Sequence, residues 1–328
     1  MTGELPRFAA LISRHEATRR HCAAALGAAG LQLHSVPAVE ELALGGTLAA
    51  VLVDLDVDPS STVEALIASV RTRYPQTPIF AVAGVDVQTR LLSAFAQEGV
   101  NHVLPKRGAP RQASSGSSSG SSGDLVTQLD GPDRQGLFAA MRRVLGAPAS
   151  PGIELYLLAG ASVCEQVVYA VEEREVAIEE VRAFAAGLGM TGERLRRVEV
   201  CTEELLLNAL LDAPLRAGAH HERPARLRFG CDGERLAISV VDEYGTLSKT
   251  AVARRLALLA GGVLRSVPGS GGAGLGLAMT YLAANQLLFS VVPGVLTEAT
   301  AVLHIGSRHR DAQSMGCALH FFRHDAQT

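Results

Sequence analysis

Tryptophan is absent, and aromatic residues together make up only 4% of the chain. Single-stranded nucleic acids are commonly held by stacking bases on exposed rings, and this sequence has few rings to offer. Nor is there a surplus of cations, since 30 Lys and Arg stand against 33 Asp and Glu, for a net charge of -3. Phosphate backbones require clustered positive charge, so no nucleic-acid partner is expected. The pairs Arg196-Arg197 and Arg254-Arg255 fall in helical patterns and read as solvated faces.

Cysteine is sparse. Cys22, Cys164, Cys201, Cys231 and Cys317 form no C-x-x-C pair and no zinc spacing. An odd, scattered set suits a reducing compartment, with the thiols acting as small buried apolar groups. His220-His221 has no Cys or acid at ligand spacing. No uninterrupted apolar run reaches the ~18–20 residues of a membrane helix. No basic segment followed by an apolar run marks a signal peptide. The expectation is a cytoplasmic protein without membrane insertion.

What is present suffices for two ordinary cores: 328 residues, 48% hydrophobic and 19% charged. A Ser/Gly-rich insertion occupies 111–124 and is purest from Ser114 to Gly123, a composition that cannot build a core. Before it, apolar runs at Phe8–Ile12, Leu31–Val36, Ala49–Val53, Pro78–Val82 and His102–Leu104 alternate with helical patterns at Glu16–Ala28, Ser61–Tyr74 and Thr89–Gly99. Alternation of this kind predicts an α/β doubly wound parallel sheet. Arg134–Leu145 has the pattern of its closing helix, so the first domain spans 1–146, with a proline-rich linker at 147–152.

The second domain, 153–328, reads as an α+β sandwich. A strand at Val163–Val171 precedes helices at Glu175–Gly187 and Gly192–Leu211, the latter stopped by Pro214. Strands Ala225–Cys231 and Arg235–Val241 flank Asp232-Gly233, a hairpin signal. Helices at Lys249–Leu259 and Leu275–Ala284 and strands at Leu287–Val292, Thr297–Ile305 and Cys317–Phe322 complete the domain.

Three segments of this domain carry chemistry. Glu204 and Asn208, four residues apart, share a helix face. The amide oxygen suits Mg2+ and the carboxylate suits a general base. Asp242 ends a buried strand where it can accept an exocyclic amine, and Gly245 lets the backbone come close to a ring. The run Gly269 to Leu277 opens a helix whose amides can cradle phosphates. It is neither a Walker A loop, because no Lys-Ser/Thr follows, nor a dinucleotide fingerprint.

In this order the three segments resemble the N, G1 and G2 boxes of the gyrase/histidine-kinase (GHKL) ATPase superfamily, and within it the anti-sigma-factor serine kinases. The resemblance spans Glu175 to Ile305 and implies ATP and Mg2+ as cofactors, under a lid at Thr246 to Gly271. By position it implies Asn208 as the Mg2+ ligand, Asp242 and Gly245 at adenine, Gly272, Gly274 and Gly276 at the phosphates, Thr300 supporting the adenine pocket, and Glu204 as the base. Tyr244 and the lid arginines Arg254, Arg255 and Arg265 are readable as phosphate contacts, but such arginines more often face solvent and are not taken as site residues. The chain departs from the D-x-G-x-G pattern, since Gly245 comes one residue late and Thr246-Leu247 follow it.

The first domain resembles a response-regulator receiver, with Asp54 at the phosphoacceptor position and Lys106 at the phosphate-pairing lysine. Ser13-Arg14 replace the metal-binding acids, Ala83 the switch hydroxyl and Arg107 the usual proline. The implied role is a pseudo-receiver used for protein contacts. Asp54, Asp56 and Asp58 remain readable as an acidic patch for Mg2+ or as surface charge. The expectation is a signalling regulator with a protein partner, acting as a serine/threonine kinase or nucleotide-gated binder. A non-catalytic adaptor and a phosphorelay member phosphorylated at Asp54 are the alternatives. The oligomeric state is open, with a homodimer among the options.

Overall fold

The structure, a computed structural model, describes residues 7–42, 47–57, 62–84, 88–106, 131–146, 152–219, 223–260, 275–305 and 316–324. It is mixed α/β and divides into two compact units, the first running through Leu145 and the second starting at Gly146.

The first unit contains strands β1 (Arg7–Ile12), β2 (Gln32–Val36), β3 (Thr47–Asp54), β4 (Ile79–Gly84) and β5 (Val100–Lys106), with helices α1 (Glu16–Ala28), α2 (Val63–Arg73), α3 (Gln88–Ala96) and α4 (Arg134–Val144). The strands are hydrogen-bonded in the order β2-β1-β3-β4-β5, every pair parallel. Ala50 to Val53 and Ile79 to Ala83 are buried throughout, as strands covered on both faces must be. Helix α1 packs with α4, and α2 with α3. Thr62 caps α2 by accepting from the Ala65 N–H, and Asp133 caps α4 by accepting from Gly136 at 2.7 Å. Strand β5 is longer than its apolar core predicts and runs on through Pro105 to Lys106.

The second unit contains β6 (Ser162–Val168), α5 (Arg174–Gly187), α6 (Glu193–Leu207), α7 (Ala213–Ala217), β7 (Ala225–Cys231), β8 (Arg235–Asp242), α8 (Lys249–Ala260), α9 (Gly276–Ala283), β9 (Gln286–Val292), β10 (Leu296–His304) and β11 (Ala318–Arg323). Its strands are ordered β11-β9-β10-β8-β7-β6. All neighbours are antiparallel except β11, which runs parallel to β9. Helix α6 packs on β8 and β10, with α5 and α9 beside it and α8 against α9. Arg197 of α6 is not a solvated face. Its guanidinium donates to the carbonyl of Ala283 and so satisfies the C-terminal end of α9.

Pro214 does not stop the long helix. After Leu207 the chain widens into a π-helical turn, Asn208–Asp212, and continues as α7 with Pro214 in its first turn. A proline there has no N–H to donate, and the widened turn removes the need for that bond. The stop is Gly218, in the left-handed conformation at φ +61°.

The β7–β8 hairpin closes on Asp232. Its carboxylate accepts from the backbone N–H of Leu158, Glu234 and Arg235 at 2.9, 2.9 and 2.7 Å, and Gly233 supplies φ +89°. Replacing Asp232 by Ala removes the partner of three backbone N–H groups and of the buried Arg235 guanidinium 3.2 Å away, and equilibrium urea unfolding should show a loss of about 2–3 kcal/mol.

Candidate functional site

Burial of Val198, Cys201, Leu205 and Leu206 sets the rotation of α6 and leaves Glu204 and Asn208 half-buried at its edge. Asn208 opens the π-helical turn, so its side chain projects where the helix widens. Strand β8 is buried along its whole length and ends on Asp242. Strand register sets Thr297 of β10 directly opposite Asp242.

These elements enclose one cleft, lined by Asn208, Asp242, Thr297, Arg216, Phe289 and Leu277 among others. Residues from the acid–amide helix, the strand-end acid and the helix after the glycine run thus meet in one place. The cavity volume is about 20 Å3, enough for a water molecule.

Asp242 sits in the cleft with its carboxyl raised above the usual carboxylate range by burial. The backbone N–H groups of Tyr244 and Gly245, bonded to it at 2.9 and 3.2 Å, oppose that rise only in part. The Thr297 hydroxyl and the charge of Arg216 act in the same lowering direction. The Thr297 hydroxyl is buried and belongs to the same cleft lining, directly across the strand pair from Asp242. Gly245 has φ +61°, and a Cβ there would collide with the carbonyl oxygen of Val292. Only glycine fits, for both reasons.

Glu204 lies next to the start of α9, where a Cβ on Gly276 would fall on its carboxylate. Its pKa is raised, chiefly by burial and then by the charges of Glu203 and Asp212, with Arg255 opposing. Glu204 does not itself line the cleft. Gly272 and Gly274, with lid positions 261–271 and therefore Arg265, lie outside the described residues.

Thr300 is not on the cleft side. Side chains alternate along a strand, so Thr297 and Ala299 face the cleft and Thr300 faces away, bonded to the Ser239 hydroxyl at 3.0 Å. The parity of β10 relative to Asp242 puts Thr297, and not Thr300, in the cleft lining. Arg255 is not solvent-facing either. Its guanidinium donates to Asn208 Oδ1 at 3.0 Å and to Asp212 Oδ2 at 2.8 Å, while Arg216 donates to that same Asp212 oxygen at 3.2 Å.

A second cluster stands at the carboxyl ends of the first unit's strands. Asp54 is fully buried. Lys106 Nζ lies 2.6 Å from Asp54 Oδ1 and 2.9 Å from Asp56 Oδ2. Ser13 Oγ donates to Asp54 Oδ2 at 2.6 Å, and His15 Nδ1 lies 3.0 Å from the same atom. The ammonium therefore fills the space between the two acids that a metal-binding patch would need, and Asp58 lies outside the described residues. Among the described residues no three His, Cys, Asp or Glu side chains converge as a metal site. Sequence reading put Ser13 at the place of a lost metal-binding acid but missed its bond to Asp54, and it missed His15, because both contacts cross from the end of β1 to the end of β3.

Burial alone would raise the Asp54 carboxyl. The charge and hydrogen bond of Lys106, with the bonds from Ser13 and His15, bring it below its usual value. This contribution to stability is present above the unfolded-state pKa of about 3.9 and is lost as pH falls through the lower folded value.

No protein-family model matches the chain, and no curated protein is significantly similar to it.

Lys106→Met leaves a buried carboxylate without its cation and should cost about 3–5 kcal/mol near pH 7 in urea unfolding. The deficit against wild type should narrow as pH falls from 7 towards 4, because the stranded carboxyl, its pKa now raised, takes up a proton. A deficit independent of pH would show that the ion pair is not its source.

Proposed function

We propose that the second unit is an ATP-binding module of the gyrase/histidine-kinase type and that the chain is a signalling regulator built on it. The supporting observation is the single cleft shared by Asn208, Asp242 and Leu277, which come from the three segments that carry the resemblance. The antiparallel run β9-β10-β8-β7-β6 with α5, α6 and α9 layered against it is compatible with that fold. Asp242 and Thr297 would take the adenine edge, with Gly245 keeping the approach open. A rise in the Asp242 pKa is what a desolvated acceptor awaiting a donor would show.

Among such regulators, an anti-sigma-type serine/threonine kinase is supported by Glu204. Its raised pKa and its place beside the α9 N-terminus suit a base that takes the proton of an attacking hydroxyl. A nucleotide-gated binder without transfer is favoured by a different observation: the amide oxygen that would hold Mg2+ is already bonded to Arg255. The order β2-β1-β3-β4-β5 of the first unit is that of flavodoxin-like sheets. The sealed state of Asp54 supports a pseudo-receiver serving protein contacts over a phosphorelay role.

In the ligand-free protein Asp242→Asn should unfold within about 1 kcal/mol of wild type or above it, because it removes a buried charge while keeping the oxygen that accepts from Tyr244 and Gly245. ATP at about 100 times its dissociation constant should stabilise wild type by roughly 2.7 kcal/mol in a thermal melt and leave the variant unmoved. Retention of the full shift in the variant would remove Asp242 from the site.

Glu204→Gln should keep that ATP shift while lowering phosphate transfer or ATP turnover by about 100-fold or more. Turnover equal to wild type would leave only the nucleotide-gated binder.

A further inference from the structure

We infer that Arg255, which bonds the cleft residue Asn208 from just outside the lining, is the cation that meets the phosphates, so that the site takes its nucleoside triphosphate as the metal-free anion. The inference rests on the ATP reading above and concerns how that same site neutralises phosphate charge.

Among the described residues, those around Asn208 do not fit a divalent metal. Mg2+ takes a near-octahedral set of oxygens, usually including one or two carboxylates. The oxygen available in the acid–amide segment is Asn208 Oδ1, and both ends of that amide are committed. Its Nδ2 donates to the Glu204 carbonyl at 2.7 Å, which fixes the plane, and its Oδ1 accepts from Arg255 at 3.0 Å. Turning the amide over would point N–H groups at the cation. The nearest acid on the same turn, Asp212, already shares one oxygen between Arg255 and Arg216. The Glu204 carboxylate is turned to Gly276. A divalent ion at Asn208 would meet a guanidinium instead of water or carboxylate.

The guanidinium supplies what the metal would. It is permanently charged and carries five N–H donors in a planar fork that matches phosphate oxygens. Arg255 directs one donor to Asn208 and one to Asp212, and these two bonds orient the fork. Its side chain is 23% exposed, so it is partly desolvated yet reachable. Helix α8, which carries it, packs on α9, so the charge is attached to an ordered element. Arg216 lines the cleft and lies close enough to Asp242 and Asp212 to feel both charges. Two arginines sharing one carboxylate oxygen are incompletely neutralised by it, and a polyphosphate completes the pairing.

The test is ATP binding to the full chain by calorimetry, in excess EDTA and in millimolar Mg2+. Wild type should bind in both, with dissociation constants within about threefold, whereas Arg255→Gln should weaken binding in EDTA by about tenfold or more. Arg255→Lys, which keeps the charge and loses the fork, should fall between them. Binding by wild type in Mg2+ alone would overturn this role of Arg255 and leave the ATP reading standing. Binding in EDTA that Arg255→Gln does not weaken would also overturn it. Absence of binding under both conditions would remove the ATP reading together with it.

Discussion

The rotation of α6 is the constraint on which the second unit's cleft depends. Val198, Cys201, Leu205 and Leu206 are buried, and that burial permits one helical phase. Glu204 and Asn208 then stand at the margin, the first against α9 and the second over the end of β8. At about 25 cal/mol per Å2 of apolar area, four buried side chains greatly outweigh any preference of the two polar ones. The polar groups take the positions that the apolar ones leave them. The widened turn at Asn208–Asp212 adds a further displacement, bringing Asp212 to where it gathers two arginines.

Both units hold acidic or amide groups with a long basic side chain from a distant element. Lys106 of β5 reaches Asp54 and Asp56 of the β3 end, and Arg255 of α8 reaches Asn208 and Asp212. Desolvated carboxylates need such partners, since an isolated buried charge is costly. The partners do two different things. Around Asp54 they bring the pKa down and occupy both oxygens. In the cleft, Arg216 lowers Asp242 only in part, and burial prevails.

Much of the local structure was legible because it follows from short-range chemistry. Helix α1 spans the predicted residues, Glu16 to Ala28, and the hairpin turns where Asp232-Gly233 said it should. Buried strands β3 and β4 announced themselves as apolar runs. The failures have a common cause in geometry that closes across elements. Thr300 and Thr297 are equivalent in sequence, and only the register with β8 separates them. Arg255 looked like one more helical surface cation until α8 was placed against α9. His15 joins Asp54 across two strands. The parallel pairing of β11 with β9 and the passage of the helix through Pro214 likewise depend on what surrounds them.

Gly245 shows how narrowly the backbone of one position can be constrained. Its positive φ and the carbonyl oxygen of Val292 close it to every residue with a Cβ, and its own carbonyl accepts from Gly294 at 3.2 Å. Thr246 and Leu247, next in line, are held by their side chains instead, Thr246 through Arg216 and the Ala213 carbonyl and Leu247 by burial in the cleft wall. A side chain added at Gly245 would have to push the Val292 carbonyl aside, so the route of the chain over the end of the sheet is fixed there by a missing carbon.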